Sequence, residues 1–171
     1  PAMALTMCAE PPTVEPMDTE MDPTTLMGTW FVQRQIPAVA FLEAGARNGV
    51  EVYSWDEEKA RFSVCYTFNR RDAPDDKITT VRQRGWVASE RGTLWNVAPL
   101  VGGLCPPVRL PFVIIDAKAD SHMLCTGGLT SWLYLMTRER QPPAPMVEAL
   151  LGKVERAGFD MAKVQVVQHT T

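Results

Sequence analysis

The sequence predicts an all-β protein, an eight-stranded antiparallel up-and-down barrel with one C-terminal α-helix packed outside it. Three observations carry that expectation. From Thr29 onward, β-branched and aromatic residues recur in short runs bounded by Gly, Pro, Asn and Asp, the texture of consecutive strands. The connections between neighbouring runs are mostly hairpin-like, and eight antiparallel neighbours can close into a barrel that leaves no exposed edge. After Arg138 the apolar period lengthens from that of a strand to that of a helix.

The elements follow in order. Residues 8–25 hold Glu10, Glu15, Asp18, Glu20 and Asp22 among Pro11, Pro12, Pro16 and Pro23, which suits an extended arm outside the core. The expected organisation is therefore an acidic, proline-rich arm over 1–21 and a barrel domain over 22–171. Strands are expected near 29–35, 47–55, 61–69, 77–88, 92–98, 111–117, 121–127 and 131–138. Asp56–Lys59 and Ser89–Gly92 supply hairpin turns, and Gly127-Gly128 joins the seventh strand to the eighth. Within 145–158, Met146, Val147, Leu150, Leu151 and Val154 share one stripe, with Glu148, Lys153, Glu155 and Arg156 opposite. Pro142, Pro143 and Pro145 mark the start of this helix and Gly158 its stop. Val164–Val167 reads as a short closing strand.

Composition narrows the function. The 171 residues suffice for one domain with a sizeable core, and 46% hydrophobic with 22% charged content is that of a globular protein. A net charge of -3 argues against nucleic acid as a partner. Residues 1–26 contain no basic residue and no continuous apolar segment of the kind a secretory signal needs. Cys8, Cys65, Cys105 and Cys125 form no Cys-x-x-Cys pair, and with only His122 and His169 beside them neither a metal site nor a cofactor is expected. No Gly-x-Ser-x-Gly elbow or framed histidine and nucleophile is present, so no catalytic residue is assigned.

Several motifs, in order and at the right spacing, resemble those of the lipocalin family. They are Asp22-Pro23-x-x-Leu26-Met27-Gly28-Thr29-Trp30-Phe31, the strand Gly49–Ser54, Phe112–Asp116, Trp132–Arg138, and Ala157-Gly158-Phe159-Asp160. The nearest likeness is to the group of the bacterial outer-membrane lipocalin, the plant temperature-induced lipocalin and apolipoprotein D. One departure is that the tyrosine that normally follows the Asp116 position is missing, so something else must brace that turn. The resemblance implies structural roles for Gly28, Trp30, Asp116 and Arg138, with Arg138 packed across Trp30 at the barrel floor. It also implies a non-enzymatic protein that carries or sequesters a small hydrophobic ligand, a fatty acid or lysolipid, in a membrane-associated, periplasmic or secreted setting. Cys8 follows Met7, where a lipid-attachment signal has a small residue, so no anchor is expected there.

The lining is expected to come from Val32, Phe41, Tyr53, Phe62, Val64, Tyr66, Trp95, Leu100, Tyr134 and Met136. On the third strand the hydrophobic alternation turns Phe62, Val64, Tyr66 and Phe68 inward, whereas the family register favours 61, 63, 65 and 67; the hydrophobic pattern is preferred. Glu51 is read as an outward residue, and Arg82 and Arg84 as an outer face. The runs 36–42 and 99–107 are apolar where loops are usually polar, which suggests a lid, a peripheral membrane contact or a partner surface such as a second copy of the chain. The alternatives to a carrier are a lipid- or carotenoid-modifying enzyme that uses Cys65 inside the cavity, or an interaction module acting through those loops.

Overall fold

A computed structural model of the chain describes residues 13–170. A short 3-10 turn, Pro23–Leu26, leads into the strands β1 (Gly28–Ile36), β2 (Arg47–Asp56), β3 (Arg61–Asn69), β4 (Thr79–Val87), β5 (Leu94–Pro99), β6 (Leu110–Lys118), β7 (His122–Thr126) and β8 (Leu133–Thr137). A one-turn helix α1 (Ala40–Glu43) interrupts the first connection, and α2 (Ala144–Arg156) and the two-residue β9 (Gln165–Val166) follow the barrel. All neighbouring strands pair antiparallel, and β1 closes the ring by pairing with both β2 and β8. Past a register shift between Val32 and Arg34, β1 also takes β9 on its outer edge. The expected barrel, helix and closing strand are all present.

Two apolar clusters follow from the alternation. Inward side chains of every barrel strand, among them Val32, Tyr53, Phe62, Val64, Tyr66, Trp95, Phe112, Tyr134 and Met136, fill the barrel. The opposite faces of β7 and β8, Leu124, Leu133 and Leu135, meet Leu150, Val154 and Phe159 from α2 and its exit. Burying these side chains contributes roughly 1.5–3 kcal/mol each, which fixes the helix against the outer wall. The arm is extended, but it is not wholly outside the core. Val14 is buried in the outer cluster, and the backbone N–H of Met17 donates to Ile114 O at 2.9 Å. The lead of the sequence up to residue 12, with Cys8, lies outside the described residues.

The floor is held at one point. The Arg138 guanidinium lies 3.6 Å over the Trp30 ring and donates to four backbone carbonyls, those of Thr25, Met27, Thr29 and Ala119, at 2.8–3.2 Å. The Trp30 indole N–H donates to Leu26 O at 2.8 Å. Gly28 has φ +94, and a Cβ there would stand 3.3 Å from an Arg138 nitrogen, so a side chain is disfavoured on both counts. Asp116 braces its turn by accepting from the His122 ring at 2.9 Å and the Lys153 ammonium at 2.8 Å. These two partners stand in for the missing tyrosine and tie α2 to β6.

Candidate ligand-binding cavity

The even-spaced connections β1–β2, β3–β4, β5–β6 and β7–β8 all lie at the end opposite Arg138, and a cavity of about 330 Å³ opens there. Its walls are Val81 and Gln83 from β4, Val97 and Pro99 from β5, Leu110, Pro111 and Phe112 from β6, and Tyr66, Trp132 and Tyr134. Ala38, Val39, Leu42 and Glu43, in and around α1, form one side of the mouth. The lower barrel is filled. Trp95 stacks on Phe112 with centroids 5.2 Å apart, and Phe62 and Tyr53 pack around Trp95 at 4.7 and 6.1 Å.

The ten expected lining residues separate accordingly. Tyr66 and Tyr134 line the cavity. Val32, Tyr53, Phe62, Val64, Trp95 and Met136 face inward but are buried in the core beneath and around it. Phe41 is 84% exposed on the mouth, and Leu100 begins the β5–β6 connection beside the lining residue Pro99. On β3 the hydrophobic pattern is the one realised, with Phe62, Val64, Tyr66 and Phe68 all buried. Arg82 is exposed and Arg84 lies on an outer groove, so that strand's expected outer face holds.

Two readings are corrected. Glu51 is buried and lines the cavity, because period-two alternation puts it on the face of Tyr53, two residues on, and leaves Val52 facing solvent. Cys65 pairs with the outward Val52 and lies on the outer wall; the interior thiol is Cys125, whose pKa burial raises well above the usual range. A thiolate is therefore disfavoured inside the barrel, and one at Cys65 would not reach the cavity.

The polar part of the lining is two carboxyls, Glu43 and Glu51, the phenols of Tyr66 and Tyr134, and the amide of Gln83. Glu51 accepts from the Tyr53 hydroxyl at 2.5 Å, and Glu43 accepts from the Tyr134 hydroxyl. Burial raises the pKa of both carboxyls; that of Glu51 reaches about 7, with the Tyr53 bond opposing the rise and the Glu43 charge adding to it. The Tyr66 hydroxyl is buried and lacks a hydrogen-bond partner. The first connection was expected to be an apolar loop ending at Leu42. Glu43 lies one residue further on, inside the helical turn that aims it at Tyr134.

The fold and the walled cavity define a cup, a barrel sealed at one end and open at the other. A family model described as a lipocalin-like domain matches residues 21–169, and the chain belongs to that family. No curated protein matches it in sequence. Among solved structures it is similar to insecticyanin from the tobacco hornworm Manduca sexta (12% identity, 93% of this chain and 86% of that one, TM-score 0.70). It is also similar to lobster apocrustacyanin A1 (10% identity, 94% and 93%, TM-score 0.64). Likeness at this identity speaks to the fold.

Proposed function

We propose that this protein binds a small hydrophobic molecule in the barrel cavity, to carry or sequester it, without catalysing a reaction. The observation that supports the reading best is the 330 Å³ cavity with aliphatic and aromatic walls, open at one end of a barrel whose other end is sealed by Trp30 and Arg138. Burial of apolar ligand surface, at about 25 cal/mol per Å², supplies the affinity. The acyl chain of a fatty acid or lysolipid would satisfy these walls, with a lysolipid headgroup left at the mouth. Native mass spectrometry of the purified protein, with extraction of whatever it holds, tests the reading; an empty protein that takes up no apolar probe would sink it.

The mouth supports a second reading, peripheral contact with a membrane. Of the nine large apolar side chains exposed among the described residues, seven (Val39, Phe41, Ile78, Val101, Leu104, Leu110 and Leu129) belong to that end. Arg70, Arg71, Lys77 and Arg109 stand among them. Such a rim would let a ligand pass between bilayer and cavity without crossing water. The same rim would serve a homodimer, which sedimentation across a concentration series distinguishes.

A further inference from the structure

The polar groups inside the cavity point to one kind of ligand. Glu43, at the end of α1, and Glu51, on β2, both line it. None of the described residues lining it is Lys, Arg or His. Gln83 adds a neutral amide, and the Tyr66 hydroxyl, on a residue 3% exposed, is bonded by no protein group. A buried polar atom left without a partner costs roughly 1–3 kcal/mol, so a ligand that supplied the partner would recover it. The aromatic residues Phe112, Trp132 and Tyr134 stand round the same space, and an aromatic face attracts a cation.

We propose that the cavity selects amphiphilic amines: an ammonium group donates to Glu43, Glu51 and the Tyr66 oxygen, while the apolar body lies against Val97, Phe112 and Trp132. The proposal rests on the carrier reading above and names its ligand class. It also ranks the alternatives. An anionic headgroup brought to the same depth would meet two carboxyl groups and no countercharge, whereas an alcohol would satisfy Tyr66 but gain no charge-assisted bond. The other titratable groups facing Glu51 are Tyr53, Tyr66, Tyr134 and Cys125, and all four are held neutral by burial. The carboxyls are therefore the groups that respond to a bound cation.

Calorimetry with decylamine, decanol and decanoate, each below its micellar concentration at pH 7, tests this on the full chain. Decylamine should bind about tenfold more tightly than decanol, the ratio a single charge-assisted hydrogen bond supplies, and decanoate more weakly than either. In Glu43→Gln and Glu51→Gln the preference for amine over decanol should fall to within about twofold, with cooperative thermal unfolding reporting that each variant is folded. Because a cation favours the ionised carboxylate, decylamine should also expel protons from the protein, and its measured heat should vary with the ionisation enthalpy of the buffer. Decanoate binding as tightly as decylamine would overturn the amine proposal and leave the carrier reading standing. An amine preference unchanged in both variants would also overturn it. Binding of none of the three would remove the carrier reading itself.

Discussion

Tyr53 and Glu51 stand two residues apart on one face of β2, and the phenol donates to the carboxylate at 2.5 Å inside the barrel. That bond favours the charged carboxylate, yet it is outweighed by burial, which raises the Glu51 pKa from 4.5 to about 7. A carboxyl whose folded pKa lies above its unfolded one holds more protons in the native state. Its contribution to stability is therefore complete below pH 4.5 and is lost as pH rises to about 7. Between pH 5 and pH 8 the wild type should lose on the order of 3 kcal/mol relative to Glu51→Gln, read from urea unfolding. Parallel profiles for the two proteins would mean that Glu51 is solvated.

Tyr66→Phe should stabilise the empty protein by about 1 kcal/mol, because it deletes a buried hydroxyl that has no partner. The same change should weaken decylamine more than it weakens decane-like probes. Thermal unfolding and calorimetry on one preparation would check both, and a variant less stable than the wild type would contradict the first half.

Arg138→Ala should cost about 2–4 kcal/mol, since it removes the cover over Trp30 and four bonds to carbonyls. Arg138→Lys should recover little of this, because an ammonium cannot reproduce the planar fork. Ligand affinity should not move in either variant, as the pair lies at the sealed end. Chemical unfolding separates the two effects.

Gly85 is opposite Phe62 across the β3–β4 pair, and a Cβ there would lie 2.1 Å from the ring tip. Gly85→Ala should therefore cost about 1–3 kcal/mol through overpacking. Combined with Phe62→Leu, which vacates the space, the loss should be less than the sum of the single losses by at least about 0.5 kcal/mol. Additive losses would show that the ring can step aside unaided.

At the mouth, Phe41→Ser with Leu104→Ser should change stability by less than about 0.5 kcal/mol, because both side chains already face solvent, at 84% and 77% exposure. If the rim touches membranes, this pair should sharply reduce flotation with vesicles of mixed neutral and anionic lipid. Undiminished flotation would remove the membrane reading.

The fold was legible in the sequence because a barrel repeats one simple instruction. Each strand alternates, each turn carries its Gly, Asp or Asn, and Trp30 and Arg138 announce the two ends of the run. The cavity was less legible. Burial in the barrel does not separate a wall that a ligand touches from one that packs on other side chains, so Phe62, Trp95 and Met136 read the same as Tyr66 and Tyr134. Glu51 was misread because an acid among valines looks like an outward residue. Its tie to Tyr53 by strand period was available and gave the right answer. Glu43 left no comparable sign, since its place depends on a single helical turn within a connection. Val14 likewise found the outer cluster through pairing of the arm with distant strands, which no local pattern encodes.

The stack of Tyr53, Phe62, Trp95 and Phe112 beneath the cavity gives the barrel a second property, that of a depth gauge. A guest can descend only to the top of the stack. Each added methylene strengthens binding by about 0.8 kcal/mol while there is wall to receive it, and by almost nothing once the tail stands in water. A protein that held its ligand here would therefore distinguish molecules by length as well as by polarity. Substituting a smaller residue for Phe62 or Trp95 would move the stopping point and leave the Tyr53–Glu51 bond in place.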